Sequence, residues 1–443
     1  MSENSSFLKN SVMNFSSNIL TIILGLLTTV IIARTLGVEG QGLFTLITLL
    51  PTMLVTFMNF GIAPATVYYI GREKYCMNIV VSTNIILGLG ISFLAINVGL
   101  GAVFLFKNTF FDGVPLLALL STLFVLPFLF FNSFLQAVYQ GTQNFRRYNA
   151  INLTSKWIQV IFLLVVFLVL DLSLGKALLS FAIGSILPSI FIIEYMRKDG
   201  IRFGIRNFSM ELTKDCFKYG YKAHLSNIIS FLNYRLDIIL ISYFINPAAV
   251  GMYNVAVSIA ERLWVFSQPV SAALFPRISA TKGEKERTEL TTMVARNVLY
   301  LSAVFAVIFF ILSDFIVYLL FGTEYKAASS TIKILLVGIT LFSAERILSN
   351  DLAGRGKPEI NLYTSLVTVA CNLVLNILLV PKFGFNGAAL ATSITYGLTF
   401  FLKLFIFSKI TKAKIDDILF LKARDIVTYQ KMLNQLIKRT RKS

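Results

Sequence analysis

A hydrophobic pattern is laid down twice in this chain, about 210 residues apart. Ser17-Asn18-Ile19 recurs as Ser226-Asn227-Ile228, and Gly42-Leu43-Phe44 as Gly251-Met252-Tyr253. Gly141 recurs near Gly354, and Gly175 with Ala177 and Leu178 near Gly387 with Ala389 and Leu390. The offset drifts only from 209 to 213. One helical bundle duplicated, with small loop insertions, accounts for so constant an offset. In a membrane such a duplication is a common transporter design, with the path running between the halves.

The solvent is set by composition. Of 443 residues 56% are hydrophobic and 14% charged, whereas a soluble chain carries about 25% charge. Apolar runs long enough to span a bilayer recur along the whole length. They are continuous rather than alternating, so the spans are helices and not barrel strands. The net charge of +18 does not point to nucleic acid. The basic residues sit in short loops and the tail, where they fix orientation and meet anionic lipid. Cys76, Cys216 and Cys371 share no spacing and read as free thiols, and His224 alone makes no metal site. The segment before the first span is polar and that span is long, so no cleaved signal is expected.

About twelve spans are expected: 13–34, 42–66, 78–106, 115–139, 150–170 and 175–195, then 217–245, 249–275, 294–320, 327–350, 361–381 and 386–409. The organisation read from them is a six-helix lobe over 1–196, a basic linker over 197–216, a second six-helix lobe over 217–410 and a basic tail over 411–443. Loops after even-numbered spans hold Arg72 and Lys74, Arg146 and Arg147, Arg277 and Lys282, and Arg355 and Lys357. Loops after odd-numbered spans hold one or two basic residues at most, so both termini are expected in the cytoplasm, with the plasma (inner) membrane as the location. In the tail Ile415, Ile418, Leu419, Ile426, Leu433, Leu436 and Ile437 recur at helical steps among Lys and Arg, which predicts an amphipathic helix on the inner face.

Three stretches carry a family resemblance. They are Ala33-Arg34-Thr35-Leu36-Gly37 followed by Gly40-Gln41-Gly42-Leu43-Phe44, then Leu320-Phe321-Gly322-Thr323-Glu324-Tyr325 with Ala327-Ala328, and Gly384-Phe385-Asn386-Gly387-Ala388-Ala389-Leu390-Ala391-Thr392. Over about residues 5–410 the chain resembles the polysaccharide flippases of the O-antigen and teichoic-acid type, in the superfamily that also holds multidrug exporters and the peptidoglycan-precursor flippase. The resemblance implies an all-α polytopic membrane protein with two pseudo-twofold-related six-helix lobes around a central cavity. It also implies a substrate, an oligosaccharide on a polyprenyl diphosphate moved from the cytoplasmic to the outer leaflet by alternating access. A polysaccharide polymerase and glycosyltransferases are the partners that go with such a substrate, beside anionic membrane lipids.

Moving a sugar diphosphate through hydrocarbon requires cations for phosphate and polar groups for hydroxyls. Ionisable residues within spans are the candidates, since each costs about 2.5–3.5 kcal/mol at mid-membrane on insertion scales. The seventh span is richest, with Lys222, His224, Asn227, Asn233, Tyr234, Arg235 and Asp237. Arg235 and Asp237 are two apart and do not share a helical face. Each lines the cavity or joins a buried pair with another helix. Glu261 and Arg262 in the eighth span either face the cavity or clamp two helices, and Glu345-Arg346 in the tenth repeats the pattern nearer the cytoplasmic end. Asn14 and Asn18 form a stripe in the first span, and Asn18 matches Asn227 in the repeat. Arg34, at the outer end of that span, either holds phosphate or snorkels.

Catalytic motifs fail. Gly354-Arg355-Gly356-Lys357 resembles a phosphate-loop fragment, but Pro358 stands where Ser or Thr is needed. No enzyme and no cofactor is expected. A membrane glycosyltransferase or polymerase would need a larger catalytic loop than the basic linker, which is the longest here. The main alternative is a cation-coupled multidrug or small-molecule exporter of the same fold. Coupling to a proton or sodium gradient through Glu261 or Asp237, or to the membrane potential, stays open.

The basic-residue asymmetry yields a topology test. In a cysteine-accessibility scan, positions near Asn246 and Lys382 label from outside the cell, and positions near Arg146 and Lys282 only from inside; outside labelling at Lys282 would overturn the orientation.

Overall fold

The computed structural model describes residues 3–422 except 172 and 282, together with Asp425; side chains are described from Met13 on, apart from those of residues 266, 272, 276 and 280. All regular structure among the described residues is helical. The helices are α1 (Glu3–Met58), α2 (Ile62–Gly71), α3 (Met77–Phe106), α4 (Leu116–Leu123), α5 (Leu126–Gly141), α6 (Phe145–Val169) and α7 (Leu174–Lys198). They continue as α8 (Met210–Phe244), α9 (Pro247–Ala260), α10 (Trp264–Ala280), α11 (Glu284–Phe321), α12 (Ala328–Gly354), α13 (Pro358–Phe383), α14 (Phe385–Thr411) and α15 (Asp416–Leu419).

Among the described residues, nine helical stretches are long and apolar enough to cross a membrane. The first of them, in α1, carries two expected spans, because Gly37 leaves helical geometry at φ 67 and ψ −171. That is a left-handed region open to glycine. Two expected spans miss the apolar criterion for visible reasons. The eighth is broken by a single 3₁₀ turn, Glu261–Leu263, between α9 and α10, and α12 carries Lys333, Glu345, Arg346 and Asp351. The chain is an all-α polytopic membrane protein, and the twelve expected spans fall on helix, the second interrupted at residues 59–61 between α1 and α2 and the fourth at residues 124–125 between α4 and α5.

The chain divides into two compact units. The first is Met1–Ser258 with Ile316–Ala328 and Asn376–Ala388; the second is Ile259–Phe315 with Ser329–Leu375 and Ala389–Ser443. In the first unit, α1 beyond Gly37 packs against α9 with backbones almost touching. A Cβ built on Gly42 would lie 1.7 Å from the Pro247 carbonyl oxygen, and one on Gly251 would lie 2.1 Å from that of Val38. Residues 38 and 247 are separated by the same 209 positions as 42 and 251. The contact is therefore reciprocal, as a local twofold axis between the two glycines produces. Small residues permit such approach where lipid supplies no hydrophobic drive. Gly61 and Gly220 make a second close contact, between the α1–α2 break and α8, with Cβ positions 2.1 and 2.5 Å from the opposing carbonyl oxygens.

The basic linker is strapped across the start of α3. Its amides at Arg202, Gly204 and Ser209 donate to the side-chain oxygens of Asn78, Ser82 and Thr83.

The second unit has a core of Leu274, Ile278, Val298, Ile347, Phe400 and Phe407 with their neighbours. Ile418 of α15 is buried in it. Arg296 is fully buried and grips Asp425 through Nε and Nη2, at 2.7 and 2.9 Å, while Nη1 donates to the Asp417 carbonyl. The start of the tail thus turns into the bundle, where a surface-lying helix was expected. Ile426, Leu433, Leu436 and Ile437 lie outside the described residues.

The glycine contacts generate a stability test. Gly42→Ala and Gly251→Ala force backbones apart and lower stability by about 1–3 kcal/mol, the usual cost of overpacking. Gly25→Ala, where nothing lies within 4 Å of the new Cβ, is neutral. Thermal unfolding of the purified protein in one detergent measures all three.

Candidate functional site

Ser209 starts α8, its hydroxyl oxygen accepting from the Leu212 amide at 3.2 Å. From there Lys214, Lys218, Lys222, Ser226 and Ser230 are all exposed, at four-residue steps, and the half-buried Tyr234 continues the row. Leu212, Cys216, Gly220 and Ile229 are buried. Four-residue spacing puts the polar row on one side of the helix. Within a span such a row is stable only against water or protein, because hydrocarbon offers ammonium and hydroxyl groups no partner.

The segment of α1 beyond Gly37 carries a matching row. Thr45, Thr48, Thr52 and Thr56 each donate to the carbonyl four residues back, at 2.7–2.9 Å. That satisfies the hydroxyl while keeping its oxygen able to accept. Gln41 heads the row and donates to Asn254 of α9 at 3.2 Å. Phe57 meets Phe231 edge-on, with centroids 5.7 Å apart, and so ties α1 to α8.

The sequence candidates fall into different environments. Lys222, Asn227 and Asn18 are exposed, and Tyr234 and Arg235 half-buried. Arg235 Nη1 donates to the Tyr234 carbonyl at 3.2 Å. Asp237 is buried and accepts the Tyr253 hydroxyl. Asn14 accepts from Asn149, tying α1 to α6. Arg34 donates to the carbonyls of Leu320 and Leu319 at 2.8 and 2.6 Å. Those are among the last, otherwise orphaned acceptors of α11, where a cation also suits the helix dipole. Tyr325 adds a bond of 3.0 Å to the Gly37 carbonyl. Glu261 and Arg262, in the second unit, are half-buried in the 3₁₀ turn, a feature that often marks a hinge.

At the end of α2, Lys74 pairs with Asp215 at 2.5 Å, and the Tyr75 hydroxyl donates to the same carboxylate at 2.6 Å. The bond to Asp215 holds the Lys74 ammonium above the usual lysine range. Burial, then Asp215, push the Tyr75 hydroxyl up to about 12. This latch keeps its protons throughout the neutral range.

In the second unit Glu345 and Arg346, named from the sequence, meet different partners, of which Lys403 was missed. Lys403 of α14 reaches Glu345 and Ser349 of α12, with lysine and glutamate side chains 3% and 4% exposed. Arg346 stacks over Trp264 at 4.2 Å and Phe342 at 5.4 Å, and Phe342 stacks on Tyr396 at 4.3 Å. Lys403 lies between Phe400-Phe401-Leu402 and Leu404-Phe405. Its signal was a lone cation inside a long apolar run. No group of three His, Cys, Asp or Glu that could hold a metal occurs among the described residues.

The family profile described as "Polysaccharide biosynthesis protein" matches residues 7–282, and the MatE profile matches residues 223–378. The probable low-salt glycan biosynthesis flippase Agl15 of Haloferax volcanii is 27% identical over 208 residues, 44% of this chain and 44% of that protein. The chain thus spans less than half the length of that relative. A Shigella flexneri protein with the description "Putative O-antigen transporter" is 26% identical over 88% of this chain and 94% of its own. A solved structure of the lipid II flippase MurJ superposes with a TM-score of 0.76 at 18% identity, covering 91% of this chain and 88% of that one. It shows the fold.

Exposure along α8 is directly testable. In a background without native cysteines, Ser226→Cys and Ser230→Cys react with a membrane-impermeant charged thiol reagent applied to open membranes, whereas Ile229→Cys stays unlabelled. Equal labelling at all three would remove the distinction between the faces of α8.

Proposed function

The chain belongs to the polysaccharide biosynthesis protein family, and from that premise we propose that it is a flippase for lipid-linked oligosaccharide. In this reading the polyprenyl diphosphate is turned from the cytoplasmic to the outer leaflet of the plasma membrane by alternating access, with both termini inside the cell. The observation that carries the reading is the exposed row of α8. Lys214, Lys218 and Lys222 stand at one end, and Ser226, Ser230 and Tyr234 follow. Ammonium groups suit a diphosphate, while hydroxyls able to donate and accept suit sugar hydroxyls. The Thr row of α1 adds acceptors of the same kind. Arg235, next to this row, presents a planar fork that matches phosphate oxygens.

A cation-coupled exporter of drugs or other small molecules is the second reading, favoured by the MatE match over residues 223–378. A cationic cargo calls for an acidic or aromatic surface, and the α8 row is basic. Polymerase and glycosyltransferase partners belong to the flippase reading alone, since they act on its substrate before and after the move.

Arg235→Ala is expected to leave the protein inserted at normal abundance and to abolish surface glycan. Arg235→Lys keeps the charge, loses the fork and retains part of the export. Surface glycan and membrane-protein level are measured together. Normal glycan in Arg235→Ala at wild-type abundance would overturn the role given to Arg235. A fall in abundance that is rescued by removing a partner carboxylate would make it a structural pair.

A further inference from the structure

The duplicated pattern leaves a groove at matching positions of both units. In the first unit it lies between α4 and α7 and holds about 510 Å³; in the second it lies among α11, α12 and α14 and holds about 750 Å³. Thr122, Val125, Leu178 and Ala182 line the first, and Ile334, Val337, Leu390 and Ile394 line the second. Each residue is 212 positions from its counterpart, the spacing that also separates Gly175 from Gly387. Both linings are mostly apolar. One position sets them apart: Ser121 in the first groove corresponds to Lys333 in the second.

Lys333 does not stand alone. Its Nζ is 2.7 Å from Asp314 Oδ2 of α11 and 5.5 Å from the ring centroid of Phe310. The lysine and aspartate side chains are 30% and 60% exposed. The surface around them is apolar: Phe310, Ile311, Phe315, Val337, Ile394 and Phe401 are all exposed. Such a surface meets lipid, where an ionisable pair is rare and marks a function. A plain brace between α11 and α12 does not account for it. The first unit builds a matching groove with Ser121, and α3, the counterpart of α11 in the duplication, has no charged residue.

Depth points to the occupant. On the orientation proposed above, α12 and α14 both start at the outer side. Lys333 stands five residues into α12 and Leu390 five into α14, each about 8 Å below the start of its helix. The interfacial layer on one side of a bilayer is about 5–8 Å thick. The pair therefore stands where headgroups meet hydrocarbon. From Leu390 the groove follows α14 to Phe401, about 16 Å further at the helical rise. Half of the hydrocarbon core is about 15 Å. The groove thus has the length of one acyl chain of the outer leaflet, and the ion pair stands at the level of its headgroup.

We propose that this groove binds an outer-leaflet phospholipid whose head carries both a phosphate and a primary ammonium, as phosphatidylethanolamine does. One acyl chain lies along α14 between Leu390 and Phe401. Lys333 donates to the phosphate, and Asp314 accepts from the lipid ammonium. The protein pair and the lipid head then alternate in charge, each answering the other. A phosphatidylglycerol head meets Lys333 but brings its phosphate beside Asp314 with no cation for the carboxylate. A choline head has the cation but no N–H to donate. The site goes beyond the flippase reading, and holds equally if the cargo is something else.

Full-length protein, delipidated in detergent, is offered dioleoyl phosphatidylethanolamine, phosphatidylcholine or phosphatidylglycerol and weighed by native mass spectrometry. One phosphatidylethanolamine is retained about tenfold more than either competitor, the worth of one charge-assisted hydrogen bond. Lys333→Ser, which copies the first groove, removes the preference. Asp314→Asn shifts it toward phosphatidylglycerol. Val337→Trp, at an exposed position of the wall, fills the groove and lowers retention of all three. A photoreactive phosphatidylethanolamine labels α12 and α14 beside the groove. Equal retention of the three lipids by the parent, a preference that survives Lys333→Ser, or labelling confined to the first unit would each overturn the proposal. Thermal unfolding tests the brace. Phosphatidylethanolamine is expected to raise the midpoint of the parent and not that of Lys333→Ser. A midpoint lowered equally by Lys333→Ser with and without the lipid would make the pair purely structural and end the proposal.

Discussion

A charge or hydroxyl inside hydrocarbon has to be answered by a partner or by water, and that demand arranges the polar chemistry of this chain. The second unit answers mostly with partners. Arg296 meets Asp425, Arg355 meets Asp351 and Glu284, Lys403 meets Glu345 and Ser349, and Arg346 lies on Trp264 and Phe342. The first unit leaves an entire side of α8 exposed, from Lys214 to Ser230. On the flippase reading proposed above, such a difference serves a charged headgroup, because a surface already neutralised has nothing to offer it.

Backbone contact supplies the complementary requirement. Val38, Gly42, Pro247 and Gly251 touch reciprocally, and this holds two pieces of the duplicated pattern together without an ion pair that would occupy the polar surface. Arg34 and Tyr325 reinforce the same region by satisfying carbonyls at the end of α11 and at Gly37. Arg34, Arg296 and Arg355 are spent on carbonyls and carboxylates, while Lys214, Lys218 and Lys222 with the serines of α8 form the open row.

Much of the fold was legible because its signals are local. Apolar runs of spanning length located the helices, and the 209-residue offset matched Gly42 with Gly251 before any contact was known. What the sequence did not disclose were facts that need a second helix. Lys403 reads as one cation in an apolar run until α12 brings Glu345 beside it. Arg296 lies in an ordinary helical stretch until the tail returns with Asp425. The Thr row of α1 carries no charge and satisfies its own hydroxyls along the helix, so it leaves no ionisable mark in the sequence. Asn14 and Asn18 share a face by spacing, yet Asn14 bonds Asn149 while Asn18 stays exposed. Ile418 keeps helical periodicity whether its apolar side meets lipid or, as here, the core of the second unit.

The account turns on what touches the exposed row of α8 during transport. The most direct measurement places a photoreactive amino acid at Ser226 or Ser230 and, as a control, at the buried Ile229, in cells whose lipid-linked glycan carries a radiolabelled sugar. The account predicts light-dependent transfer of label to the protein from positions 226 and 230 and none from 229. Label captured at none of the three, or equally at all of them, would contradict passage of the headgroup along α8.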